Sequence, residues 1–251
     1  MVSQAISEQN PRVRILGIPV DRITMDQTIE RLEQFVAEGT PHQVVTADSS
    51  GIVLAQSDSD FFEILQQANL VTADSVGVIW AAKRQGEPVP ERVSGVDIFA
   101  RLCAKSAEKG YRLFFLGAAP GVAETAAERC CLQSPGCNVV GTRHGYFPEE
   151  SDEVVAQEIA AAKPDVLFVA MGMPRQEKFI RRTRDIIKAP VAIGVGGTLD
   201  VFSGRVKRAP RLVQKLKLEW LWRTLQNPKK ISKAKNLPIF VKMVLSENKR
   251  D

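Results

Sequence analysis

Leu70-Val71-Thr72-Ala73-Asp74-Ser75-Val76-Gly77-Val78-Ile79-Trp80 is the stretch on which the fold class turns. It begins as a short apolar strand, stops at a carboxylate and reopens as a helix. Leu70, Val71 and Ala73 supply the strand, and Val78, Ile79 and Trp80 begin a buried helical face. Gly77 lets the backbone come close to a neighbour. In an open parallel sheet, ligands bind beyond the carboxyl ends of the strands, and Asp74 stands at such an end. Its plainest role is a helix N-cap, since Asp is among the preferred cap residues. Binding a ligand hydroxyl and taking a proton are the alternatives the position leaves open.

The same design recurs on both sides. Upstream, residues 1–10 read as a disordered lead and Val13 to Val20 as a strand. Thr24 and Gln27 form a capping-box pattern, and Met25, Ile29, Leu32 and Val36 mark a helical face up to Gly39. Val44-Val45-Thr46-Ala47-Asp48 is a strand that turns through Ser49, Ser50 and Gly51 into a helix, and a short helix follows over Phe61 to Ala68. Downstream, the helix after Asp74 runs to Gln85, and a Pro/Gly loop leads through Arg92-Val93-Ser94-Gly95 to a helix over Ile98 to Lys109. Arg92 suits either an ion pair or a phosphate clamp, because guanidinium geometry is bidentate.

Tyr111 to Gly117 is a strand ending in glycine, and Pro120 and Gly121 open a helix over Val122 to Leu132, a weak anion-site signal. A strand over Asn138 to Gly141 precedes the loop Gly145-Tyr146-Phe147-Pro148, whose tyrosine can stack on a base or simply pack. After a helix over Glu153 to Ala162, Asp165 to Gly172 reads as a buried parallel strand running into Met173-Pro174-Arg175-Gln176-Glu177. Pro190 to Asp200 repeats the design with a glycine pair, Gly196-Gly197. This alternation predicts an α/β fold with a mostly parallel sheet flanked by helices. Asp48, Asp74, Gly117, Gly172 and Gly196 should then share one edge of the sheet, lining a cleft suited to a phosphorylated small molecule.

The 251 residues are 44% hydrophobic and 25% charged, enough for one large domain with an appendage. No apolar run is long enough to span a bilayer, and Met1 to Arg12 lacks the apolar core of a secretory signal, so an intracellular protein is expected. Cys103, Cys130, Cys131 and Cys137 form no C-x-x-C pair, and His42 and His144 are not at ligand spacing to them. Neither zinc nor a disulfide framework is expected from that pattern, and Cys103 and Cys130 should pack in helices. Asp58-Ser59-Asp60 has the D-x-D form that holds a metal in nucleotide-sugar enzymes, but its place before Phe61-Phe62 favours a cap.

The net charge of +5 is uneven: from Arg205 to Lys235 the cations face a single acid, Glu219. An anionic partner or a solvated helical face both fit. Trp220 and Trp222 interleave with these cations, and Pro228 and Pro238 divide the tail. Ile239 to Leu245 forms a last short apolar helix flanked by Lys242, Lys249 and Arg250, able to lie at a membrane interface or to fold over the core. Nucleic acid is not an expected partner, since no stacking or groove-reading pattern is present.

Taken together, Val45-Thr46-Ala47-Asp48, Ala73-Asp74-Ser75-Val76-Gly77, Arg92-Val93-Ser94-Gly95, Gly172-Met173-Pro174-Arg175-Gln176-Glu177, Gly194-Val195-Gly196-Gly197, Lys207-Arg208-Ala209-Pro210 and Leu218-Glu219-Trp220-Leu221-Trp222-Arg223 resemble the WecG/TagA/CpsF glycosyltransferases from about Val13 to Phe240. The resemblance implies a Rossmann-like catalytic domain, residues 11–204, with a basic helical C-terminal appendage, residues 205–251. It implies inverting transfer of an N-acetylmannosamine-type sugar, or its uronic acid, from a UDP-sugar to a polyprenyl-diphosphate-linked acceptor, as in cell-surface polysaccharide synthesis. No cofactor and no metal are implied.

By that resemblance Asp74 is the base, Thr46 and Asp48 line the acceptor pocket, and Arg92 and Gln176 hold donor or acceptor groups. Gly117, Gly196, Gly197 and Asp200 line the nucleotide site, with Tyr146, Gly172 and Glu177 also at the substrates. Arg208 and Arg223 neutralise the diphosphate. The expected setting is the cytoplasmic face of the plasma membrane, reached through the tail, and a homo-oligomer is compatible with it. The family's usual Asn is Asp48 here, and the first Gly of its D-G-x-G is Ser75, which leaves the sugars less defined than the reaction. Two other readings differ in test: a soluble acceptor removes lipid dependence, and a non-enzymatic lipid-binding protein is indifferent to Asp74 and steeply salt-dependent.

Overall fold

The structure is a computed structural model that describes residues 11–207, Pro210 and 231–247. Six strands form one all-parallel sheet: β3 (His42–Ala47), β4 (Leu70–Ala73), β5 (Arg112–Gly117), β6 (Asn138–Arg143), β7 (Val166–Ala170) and β8 (Val191–Gly194), in the spatial order β4-β3-β8-β7-β5-β6. The predicted α/β class therefore stands. Side chains alternate along each strand: Leu113 and Phe115 enter one core, Phe114 and Leu116 the other. On the first face lie α1 (Met25–Glu38), α5 (Gly95–Lys109), α6 (Val122–Gln133) and the short α9 (Thr198–Phe202). On the other lie α2 (Ser49–Ala55), α3 (Ser59–Gln67), α4 (Val76–Arg84), α7 (Asp152–Ala161) and α8 (Arg175–Ile187).

Two local readings change. Val13 to Val20 is not one strand but a hairpin of β1 (Arg12–Ile15) and β2 (Ile18–Asp21). Leu16 and Gly17 both take left-handed backbone, with φ of 49° and 80°, the signature of a tight two-residue turn. The hairpin lies against β4, the sheet edge: the Asp21 carboxylate accepts from Val71 N at 2.8 Å and pairs with Arg12 at 2.9 Å. That covers backbone groups an open edge would expose. Burial pushes the Asp21 carboxyl up, opposed by the Val71 N–H and by Arg12.

The last helix, α10 (Ile231–Glu247), is longer than the apolar run predicts, and Pro238, expected to divide the tail, lies inside it. Phe240 and Val244 are fully buried in the core shared with α2, α4 and the hairpin. Glu247 accepts from Leu16 N and Gln85 Nε2, both at 3.3 Å. Among the described residues no helix is long and apolar enough to cross a membrane.

Candidate active site

All five predicted strand-end residues, Asp48, Asp74, Gly117, Gly172 and Gly196, lie at the carboxyl edge of the sheet or in the turns leaving it. The chain leaves β5 toward β6 and leaves β7 toward β8, on opposite sides. Neighbouring strands whose connections diverge open a crevice at their carboxyl ends, where α/β proteins bind ligands.

Asp74 does not cap its own helix, contrary to the plainest reading. Ser75 does, its hydroxyl accepting from Val78 N at 3.3 Å. The Asp74 carboxylate instead reaches the first residue of α5, accepting from Gly95 N at 3.2 Å, and stays half-buried at the carboxyl edge of the sheet. Gly95 is also wedged against Thr46: a Cβ there would sit 3.3 Å from Thr46 Oγ1 and 3.4 Å from Val195 Cα. Thr46 donates to Gly194 O at 2.9 Å, linking β3 to β8. Asp74, Gly95 and Thr46 thus form one contiguous corner. Arg92 stands in the adjoining loop, 4.0 Å from Asp97, and Val93 N bonds Ala73 O, so that loop extends along the free side of β4.

Asp48 makes the cap at its own strand end. Its carboxylate caps α2, accepting from Gly51 N at 2.7 Å. Asn caps equally well, which explains physically why either residue suits the position. Beside it, the Ser49 and Ser75 hydroxyls lie 3.0 Å apart, and Ser49 N donates to Ser75 Oγ at 3.1 Å. This serine pair ties the starts of α2 and α4 together, and sequence reasoning missed it. The signal was available: Val45-Thr46-Ala47-Asp48-Ser49-Ser50-Gly51 and Val71-Thr72-Ala73-Asp74-Ser75-Val76-Gly77 differ at one position, and β3 and β4 pair them in register.

Gln176, expected to hold a substrate group, is 1% exposed and tied into the scaffold. Its side-chain oxygen accepts from Gly172 N at 3.0 Å and Gly196 N at 3.1 Å, and its Nε2 donates to Glu177 Oε1 at 2.7 Å. Glu177 is fully buried beneath the same turn, so neither side chain lines the open cleft. What they present are the two glycine turns. Gly172 and Gly196 have φ of 79° and 55°, and a Cβ on either would meet nothing within 4 Å, so both backbones face open space.

Gly117 serves the sheet: a Cβ there would lie 2.4 Å from Ala170 O, at the closest approach of β5 and β7. Gly145 N bonds Ala118 O, folding the loop after β6 over this turn and leaving Tyr146 beside it with its ring 70% exposed. Gly197 opens α9, and Asp200 sits half-buried on that helix with its backbone oxygen accepting from Val206 N. Arg208 and Arg223 lie outside the described residues.

The D-x-D triplet is a cap, as read: Asp58 accepts from Phe61 N and pairs with Lys178 at 2.8 Å, and these bonds hold its carboxyl below the usual range. Arg175 joins Arg182 around the buried Asp152 and lies over the Phe147 ring at 5.4 Å, which fixes the start of α8.

A family model described as the Glycosyl transferase WecG/TagA/CpsF family matches residues 13–251. The chain is similar to an N-acetylglucosaminyldiphosphoundecaprenol N-acetyl-beta-D-mannosaminyltransferase of Staphylococcus aureus, 35% identical over 233 residues, covering 92% of this chain and 91% of the relative. It is also similar to the protein of the same name in Bacillus spizizenii, 37% identical over 206 residues, covering 82% and 79% of the two chains.

Proposed function

We propose that this chain, which belongs to the glycosyl transferase WecG/TagA/CpsF family, moves an N-acetylmannosamine-type N-acetylhexosamine, or its uronic acid, from a UDP-sugar to a polyprenyl-diphosphate-linked N-acetylglucosamine, inverting the anomeric carbon. The observation that carries this reading is the Asp74 carboxylate, held by Gly95 N–H at the carboxyl edge of the sheet, with Gly95 against Thr46, rather than folded back onto its own helix.

In the proposed step the acceptor hydroxyl gives its proton to Asp74 as its oxygen attacks the anomeric carbon. The bond from that carbon to the β-phosphate oxygen breaks, and the electron pair leaves with UDP. A base needs to come within about 2.6–3.2 Å of the hydroxyl, directly or through a water. The leaving diphosphate needs positive charge or N–H donors. Arg92 and the open glycine turns at Gly172 and Gly196 suit that need, and Arg208 and Arg223 are assigned to it from the sequence. Tyr146, exposed on the loop after β6, suits stacking on the uracil. Asp58 of the D-x-D triplet is committed to a cap and to Lys178, and the proposed transfer is metal-independent.

The reading includes peripheral attachment at the cytoplasmic face of an anionic membrane. α10 supports it by leaving Ile239, Lys242 and Leu245 exposed on its outer side.

The test is UDP release by the purified protein with a panel of UDP-sugars, with and without a short-chain lipid-diphosphate N-acetylglucosamine, in EDTA, beside Asp74→Asn. Acceptor-dependent release with one donor is expected, reduced about 100-fold or more in the variant. Wild-type rates in Asp74→Asn, or release only with a soluble acceptor, would overturn it.

A further inference from the structure

The cysteines, dismissed on sequence spacing, converge in space. Cys103 comes from α5, Cys130 from the last turn of α6 and Cys137 from the residue before β6. Their three sulfurs all lie within 4.8 Å of one another, and those of Cys130 and Cys137 are 3.9 Å apart. All three residues are buried, at 1%, 1% and 9% exposure. Cys131, half-buried, stands on the solvent side with its thiol 3.4 Å from Cys137 O. The pattern hid this because Cys103 belongs to a different helix, so no C-x-x-C spacing announces the group.

Single buried thiols behave as small hydrophobes with a weak donor, and packing alone does not require three segments to aim sulfur at one point. A tetrahedral zinc shell with Zn–S bonds of about 2.3 Å sets its sulfurs roughly 3.8 Å apart. The Cys130–Cys137 separation already matches that spacing.

We propose that Cys103, Cys130 and Cys137 bind a soft divalent metal ion, zinc(II), through three thiolates. Binding replaces three S–H bonds by three Zn–S bonds and releases three protons, with no change of oxidation state. The site lies away from the cleft. Cys137 precedes the first residue of β6, at the amino edge of the sheet, whereas the cleft is at the carboxyl edge. The ion therefore staples α5, α6 and β6 together and acts on stability rather than on turnover.

The test uses the full-length protein, reduced and stripped by chelator, then titrated with cadmium(II) as an optical probe and with zinc(II). Expected are a thiolate-to-cadmium charge-transfer band saturating at about one equivalent, metal retained through gel filtration, three of the four thiols shielded from a thiol reagent, and a raised Tm. Cys137→Ser and Cys103→Ala should lose the band, and Cys131→Ser should keep it. A wild-type protein that retains no metal through gel filtration and shows no charge-transfer band overturns the proposal without need of any variant. So does a band that survives both Cys103→Ala and Cys137→Ser, since the metal would then sit elsewhere. Neither result bears on the transferase reading, because UDP release is not among the readouts.

Discussion

Replacing Gln176 by alanine separates two accounts of one residue. If Gln176 were a ligand for sugar or phosphate, its loss would weaken turnover and leave the fold intact. The structure commits most of its carboxamide elsewhere. A carboxamide oxygen has two lone pairs, and both are taken, by Gly172 N and Gly196 N. One of its two N–H donors is taken by Glu177. Leaving a buried polar group unpaired costs about 1–3 kcal/mol. The glycine turns are half-exposed, so water recovers part of that, and about 1 kcal/mol each is the fair figure. Glu177 is fully buried, and losing a donor to its carboxylate adds about 1–2 kcal/mol.

The expected destabilisation of Gln176→Ala is therefore about 3–4 kcal/mol, read as a lower urea midpoint with an unchanged slope. Activity should fall with it, because the neighbouring turns after β7 and β8 lose their common tie. Gln176→Glu makes the cause specific. A carboxylate still accepts from both glycines, but it stands against Glu177, where two like charges cannot both ionise cheaply. That variant should recover stability as pH falls. A Gln176→Ala protein within about 1 kcal/mol of the parent, yet inactive, would refute the scaffold account and restore the ligand one.

Two further outcomes follow from the helix caps. Asp48→Asn should keep the cap of α2 and shift stability by no more than a few tenths of a kcal/mol, whereas Asp48→Ala should lose about 1 kcal/mol. Chemical denaturation checks both, and an equal loss in the two variants would sink the cap reading. Asp58→Ala removes a cap and the Lys178 pair together. The folded carboxyl is held below its ordinary value, so its contribution is present above the unfolded pKa of about 4 and lost as pH falls through the folded value. The Tm gap between parent and variant should narrow on acidification, and a gap that widens would contradict the sign.

Strand ends were legible because hydrophobic runs stop at residues with a reason to stop. Asp48, Asp74, Gly117, Gly172 and Gly196 therefore fell on one edge, as read. What pattern could not supply was direction. Gln176 and Glu177 sit in a recognisable block, but only the fold shows that they turn inward and leave the glycines at the cleft. The hairpin was missed although Gly17 marks its turn, because the other turn residue, Leu16, is unusual in left-handed backbone. The cysteine group was missed because spacing along the chain says nothing about helices that meet side by side.

The near-identical segments at Asp48 and Asp74 show how the fold, not the local sequence, decides where a carboxylate turns. Both end parallel strands in the same register, and both open a helix. β3 lies between β4 and β8, with its threonine bonded to β8 and its aspartate turned onto its own helix. β4 is the sheet edge, and the chain at 93–95 returns along its free side: Val93 N bonds Ala73 O, and Thr72 donates to Val93 O. That return brings Gly95 N to Asp74 and draws the carboxylate off its helix. Ser75 can take over the cap because its hydroxyl reaches Val78 N. A glycine there would leave α4 without that side-chain cap. The edge position of β4 is thus the physical reason that one of two matching aspartates reaches across to α5 while the other caps its own helix.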